Sequence, residues 1–219
     1  LRRSNIATPL VIGHLLPGKV GYIRLRQFAR GASLLIRAEL ARLRSKSGGN
    51  LLGLVLDLRS NPGGLVTEAV KICSLFVEEG LVVTYAGANI KRRSHYVSKN
   101  NKEERYPLVV LLNGRSASAS ELLSSALQQH NRALLVGQQS YGKGTVQVSG
   151  RLRKDVFFRV TIAQYLGPND VSVQGKGVTP DVELFPVVLR KENLRYFGWQ
   201  LSDLALRKKR WPKFLQQNL

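Results

Sequence analysis

The chain has 219 residues, 43% of them hydrophobic, enough for one large domain or two small ones around a real core. A formal net charge of +20 favours anionic partners, nucleic acid or acidic lipid. The single cysteine, Cys73, excludes an internal disulfide, and no run of about 18 apolar residues is present to cross a membrane as a helix.

Residues 19–25 read as a strand from their β-branched and aromatic content. Residues 32–46 read as a helix, with Ile36, Leu40 and Leu43 on one face and Arg37, Ala41 and Arg44 on another. Ser47-Gly48-Gly49-Asn50 ends it. Residues 51–58 form a nearly continuous apolar run, as in a strand buried on both faces. Ser60-Asn61-Pro62-Gly63-Gly64 is a tight turn. A helix follows over 66–78, where Cys73 reads as a buried small hydrophobe, and then a strand over 81–85.

The polar, basic segment 88–106 reads as an exposed loop or edge hairpin. Residues 108–112 form another buried strand that leads into three serines, and 117–130 form a helix. A strand over 133–136 precedes a turn that carries Lys143. Residues 156–165 read as a strand and 175–181 as a loop. Strands alternate with helices, so the fold class is α/β, a sheet covered by helices. Residues 1–190 read as one core and 191–219 as a basic, aromatic C-terminal tail.

Ser116, Ser118 and Ser120 precede or open the helix at 117–130. Ser118 and Glu121 fit a capping box, and a plain structural reading makes Ser118 a helix cap. The same position suits catalysis, because unpaired amides and the positive end of the helix dipole lie beside it. A serine hydroxyl needs a base, and histidine is scarce here. His130 lies twelve residues beyond Ser118, about 18 Å along the helix, so it is out of reach. His14 and His95 read as exposed or structural.

Lys143, in Gly142-Lys143-Gly144-Thr145-Val146-Gln147, is the remaining candidate base, and Ser-Lys pairs are a recognised variant of the triad. A lysine takes a proton only when neutral, a form favoured by desolvation. This reading therefore expects Lys143 in dry surroundings and Gln147, four residues on, to orient its amine. Its plain alternative is a surface turn. An oxyanion formed at Ser118 has the Ala119 amide nearby, with a second donor from the Gly63–Gly64 turn, where missing side chains permit close approach.

Gly137 to Lys143 also matches Gly-x-x-x-x-Gly-Lys. Gly144 stands where a P-loop needs Ser or Thr, and the following residues read as strand and loop instead of helix, so nucleotide binding is disfavoured. Basic residues cluster at 24–44, 91–105 and 207–210 without zinc-finger spacing or an RNA-binding signature. A solvated basic face is the plain reading, and no specific nucleic acid is expected.

These motifs together resemble the carboxyl-terminal processing proteases, the tail-specific Ser-Lys peptidases of bacteria and photosynthetic organelles. The resemblance covers about residues 18–182. It rests on Gly21-Tyr22-Ile23-Arg24-Leu25 with Phe28, on Leu56-Asp57-Leu58-Arg59-Ser60-Asn61-Pro62-Gly63-Gly64-Leu65 and on Ser116-Ala117-Ser118-Ala119-Ser120-Glu121. The lysine segment 142–147 and Gly175-Lys176-Gly177-Val178-Thr179-Pro180-Asp181 complete it. The family spacing of 25 between nucleophile and lysine selects Ser118 over Ser116 and Ser120.

The resemblance implies a Clp protease/crotonase-like spiral of ββα units. It implies Ser118 as nucleophile, Lys143 as base and Gln147 as its partner, with backbone amides at Gly63, Gly64 and Ala119 as oxyanion donors. Neither metal nor cofactor is implied. The implied activity is endoproteolytic removal of C-terminal peptides from proteins with unstructured tails, in the periplasm or thylakoid lumen.

Leu1-Arg2-Arg3 looks like the last strand of an absent PDZ domain. Gln129 stands where some relatives carry an aspartate. The family does not explain the charge, for which an anionic membrane surface is a candidate partner. Two alternatives stay open: a hydrophobic-ligand carrier, like the retinoid-binding proteins with a similar core, and a basic anionic-surface binder.

Overall fold

Among the described residues, apolar runs and amphipathic stretches assemble into two sheets with three α-helices between and against them. The structure, a computed structural model, describes residues 8–87, 90–97 and 105–185. The strand expected over Leu1–Arg3 and the tail expected over 191–219 lie outside the described residues.

The chain opens with β1 (Val11–Leu16), β2 (Val20–Leu25), α1 (Ala32–Lys46) and β3 (Gly53–Asp57). Then come α2 (Val66–Cys73), β4 (Leu81–Gly87), β5 (Ile90–Tyr96) and β6 (Leu108–Leu112). The last described elements are α3 (Ala119–Gln129), β7 (Leu134–Gly137), β8 (Thr145–Arg153), β9 (Val156–Leu166) and β10 (Val182–Glu183). One sheet has the order β1-β2-β3-β6-β7-β10, antiparallel between β1 and β2 and parallel thereafter. The other is antiparallel, in the order β5-β4-β9-β8.

The α/β class expected from the alternation is what the chain adopts. Ile36, Leu40 and Leu43 of α1 join Ile23, Leu25, Leu54 and Leu56 in the core, each large side chain contributing about 1.5–3 kcal/mol on burial. Cys73 is fully buried, and desolvation pushes its thiol up to about 12, where it stays protonated and inert. Segment 90–96 forms the expected edge hairpin, pairing antiparallel with β4.

Three features differ from the sequence reading. β1 precedes the first expected strand, as an antiparallel partner of β2. The helix expected over 66–78 stops at Cys73, because the next turn tightens. There Leu75 and Phe76 amides reach back only three residues, to Ile72 and Cys73, and the Ser74 hydroxyl binds the Val70 carbonyl. Among the described residues, no helix covers the β8–β9 hairpin. Residues 156–162 are exposed along their whole length, including Phe157 at 73%, because β9 meets β4 only at its end, over Gln164–Leu166.

A buried charge sits at the end of β3. Asp57 accepts the Tyr22 hydroxyl at 2.6 Å and the Arg59 amide and guanidinium at 2.7–2.9 Å. Burial pushes its carboxyl up, but the Arg59 and Tyr22 bonds outweigh it and hold the carboxyl below its ordinary value. A lowered folded value stabilises above the unfolded pKa of about 3.9 and is lost as pH falls through the folded value. Asp57→Asn should therefore lose about 1–3 kcal/mol at pH 7. Urea midpoints measured from pH 7 down to about pH 2 should fall less steeply in the variant than in the parent.

Candidate active site

Three neighbouring parallel strands release their chains at the same edge of the sheet. β3 ends into the glycine turn, β6 into the serine turn and β7 into the lysine turn. The ladders pair Asp57 with Leu111, and Leu112 with Gly137, so these ends are level. Crevices outside the carboxyl ends of parallel strands are the usual place for chemistry in such sheets.

The three serines have different environments. Ser116 and Ser120 are fully buried, and their hydroxyls donate to the carbonyls of Leu58 at 2.8 Å and Asn61 at 3.0 Å. Ser118 is half-buried at the N-cap of α3, with φ 56° and ψ −115°. That conformation costs on the order of 1–3 kcal/mol outside glycine and persists only where its surroundings hold it. It makes a sharp strand-to-helix turn with serine at the apex, the geometry of a nucleophile elbow. The Ala117 amide bonds the Asn61 carbonyl at 3.0 Å, and the Ser118 amide bonds Glu121 Oε2 at 2.8 Å.

The glycine turn lies directly against the elbow. A Cβ on Gly63 would stand 2.8 Å from Ser118 Cβ and 2.9 Å from the Ala119 nitrogen, and one on Gly64 would meet the Phe28 carbonyl at 2.4 Å. Both residues have positive φ, so glycine is required twice over. The Gly63 amide is held by Asn61 Oδ1 at 2.9 Å, while Gly64 is exposed. Ala119 is the first residue of α3, where helical amides have no intrahelical acceptor. Asn61, fully buried, also donates to the Leu25 carbonyl at 2.9 Å, tying the turn to the end of β2.

Glu121 joins the serine turn to the lysine turn. Its Oε2 accepts the amides of both Ser118 and Lys143, each at 2.8 Å, so those two nitrogens lie no farther apart than twice that length. Its Oε1 accepts the Gly142 amide at 2.6 Å and the Ser140 hydroxyl. The loop over 175–181 braces the far side: the Val178 amide bonds Ser140 Oγ at 2.7 Å and the Gly175 amide bonds the Gly142 carbonyl at 2.9 Å. Lys143 itself is exposed, in contrast to the dry surroundings expected for it, because it precedes β8, the edge strand of the exposed hairpin. Gln147 is also exposed, and its amide donates to Thr161 Oγ1 at 3.4 Å across that hairpin. β8 follows the lysine turn, so the helix a P-loop needs is not there.

His130 caps the far end of α3, with Nε2 2.8 Å from the Leu81 carbonyl. His14 is exposed on β1, and His95 packs edge-on against Tyr85. Sequence reasoning gave Glu121 a capping role and overlooked its bonds to the lysine turn, 21 and 22 residues away. It gave Asn61 no role beyond the turn. An acidic residue at N3 directly behind a candidate nucleophile was the available signal for Glu121.

Comparison with known proteins matches residues 19–184 to peptidase family S41. A carboxy-terminal-processing protease of Bartonella bacilliformis is 38% identical over 173 residues, 78% of this chain and 40% of that protein. Carboxyl-terminal-processing peptidase 1, chloroplastic, of Arabidopsis thaliana is 39% identical over 168 residues, 76% of this chain and 34% of that protein. The solved photosystem II D1 C-terminal processing protease superposes with a TM-score of 0.73 at 34% identity, covering 86% of this chain and 51% of that one. The chain thus spans about two fifths or less of the length of these two curated relatives.

Replacing Glu121 by Gln puts an amide NH2, itself a donor, among donors that now share a carboxylate. Glu121→Gln should lose about 3 kcal/mol or more, since each bond to a charged group is worth about 1.5–3 kcal/mol. Urea denaturation should register this loss, whereas Ser120→Ala, which removes one neutral bond, should cost about 1 kcal/mol.

Proposed function

This chain belongs to peptidase family S41, and on that premise we propose that it is a serine endopeptidase removing C-terminal peptides from proteins. The observation that carries the reading is the Glu121 carboxylate, which holds the Ser118 and Lys143 backbones side by side although 25 positions separate them in sequence. The elbow conformation adds support, since Ser118 is the one of the three serines with a positive φ.

In this reading Ser118 Oγ attacks the peptide carbonyl carbon while Lys143 Nζ takes the hydroxyl proton. The tetrahedral oxyanion is held by the amides of Ala119 and of the Gly63–Gly64 turn. Gly64 is the readier donor there, because Asn61 engages the Gly63 amide. The intermediate collapses as Lys143 returns the proton to the leaving amine, and water then hydrolyses the acyl-enzyme. Gln147 positions Lys143 once the substrate draws its amide from Thr161. An extended peptide laid over the exposed Lys143 excludes water from it.

The substrates are proteins with unstructured C-terminal tails, in keeping with the relatives' names. The setting is extracytoplasmic, a periplasm or a thylakoid lumen, as the chloroplastic relatives lead one to expect. The charge of +20 fits an enzyme held near anionic membrane surfaces.

Cleavage of an unstructured tail peptide tests the mechanism. Ser118→Ala and Lys143→Ala should each lower kcat/KM by about 10³-fold or more while leaving the melting temperature near that of the parent. Gln147→Ala should lower it by about tenfold. Undiminished cleavage by either of the first two variants would remove the Ser-Lys mechanism.

A further inference from the structure

A cavity of about 810 Å³ is lined by the segments that follow the glycine and lysine turns. Thr67, three residues after Gly64, lines one side, and Val146, three residues after Lys143, lines another. Its floor includes Tyr85 and Ala163. Tyr85 packs on the cluster of Val66, Val83 and Leu122, and the Leu122 amide bonds the Ser118 carbonyl at 3.0 Å. The cavity is therefore continuous with the scaffold of the reacting serine.

Its rim is cationic. Alternation along β5 places Lys91, Arg93 and His95 on one face, and all three line the cavity. Arg93 stands opposite Tyr85 in the ladder, and His95 opposite Val83. Burial raises the Tyr85 phenol, with the Arg93 charge opposing it, which agrees with a guanidinium held close to the ring. Arg92 also reaches the cavity, but its guanidinium pairs with Asp170. No Asp or Glu lines the cavity among the described residues.

We propose that this cavity is a substrate subsite that takes a carboxylate of the peptide, bound by Lys91 and Arg93 over the Tyr85 ring. It rests on the peptidase reading and narrows it to tails with an acidic side chain or a free carboxyl terminus near the scissile bond. A mostly apolar lining beside the cations of β5 suits the stem and head of such a group. Packing against the ring orients the chain, and the cations supply charge-assisted hydrogen bonds. The +20 charge also speeds the encounter with an acidic tail.

One tail peptide is prepared with Glu or Gln at each position flanking the scissile bond, with a free or an amidated C-terminus. The parent protein should cleave the preferred Glu peptide about tenfold more efficiently than its Gln twin, judged by kcat/KM. The advantage should vanish near 1 M salt, where screening acts within about 3 Å. Lys91→Ala/Arg93→Ala should bring the Glu-to-Gln ratio to about one, and Arg93→Lys, which keeps the charge and loses the planar fork, should keep part of it. A loss on amidation instead of on Gln substitution assigns the carboxylate to the chain terminus.

Equal cleavage of all these forms, or a preference unchanged by Lys91→Ala/Arg93→Ala, overturns the proposal. Binding of the same peptides to Ser118→Ala, read by fluorescence anisotropy, keeps the two readings separable. If no peptide is cleaved the peptidase reading fails, while the Glu-to-Gln ratio of affinities still decides for or against the cavity. Should the double variant instead lose binding to phosphatidylserine vesicles with no peptide preference to lose, the rim is a membrane contact and the subsite is rejected.

Discussion

A buried carboxylate is costly unless its oxygens are fully engaged, and Glu121 is engaged from four directions. Two donors come from the lysine turn as backbone amides, one from the Ser140 hydroxyl and one from the elbow itself. Each of those loops leaves a different strand, and nothing local in either fixes its distance from the other. The carboxylate does, because all four donors must converge on two oxygens about 2 Å apart. The segment over 175–181 then has a clear physical purpose: its Gly177 passes so close to the Ser140 carbonyl that a Cβ would stand 2.4 Å away.

The serine elbow depends on the same convergence. A positive φ at a residue with a side chain stores energy that must be offset elsewhere. Here the offset comes from Asn61, which holds the amide before the strained residue, and from Glu121, which holds its own amide. Asn61 holds the Ala117 amide through its carbonyl and the Gly63 amide through its side chain. Gly63 in turn fills the space against Ser118 Cβ that any larger residue would need. The strained serine and the bare glycine are thus two halves of one packing arrangement.

The electrostatics follow a different logic from the core. Only 14 acidic residues face 34 basic ones, and several of the acids are spent internally. Asp57 is committed to Arg59 and Tyr22, Glu68 to Lys71 and the Ser33 amide, and Asp181 to the Leu135 amide. What remains at the surface is strongly positive, including the face of β5 above Tyr85. Cations on an edge strand also keep that edge from pairing with another chain. Part of the charge that the family likeness leaves unexplained therefore has a physical use in the fold itself, protecting an edge.

Periodicity and composition determined the local elements, because they report on single segments. The α1 helix over Ala32–Lys46 and the β6 strand over Leu108–Leu112 stand where apolar spacing puts them. The motif order determined the family and pointed to Ser118 over its neighbours. Only the tertiary structure decided which donors were already engaged, such as the Gly63 amide on Asn61, and that Lys143 stands open to solvent. It alone turned Glu121 from a helix cap into the link between two loops. Hydrogen-bond partners and desolvation are properties of groups brought together across 20 to 60 residues, and no window of sequence contains them.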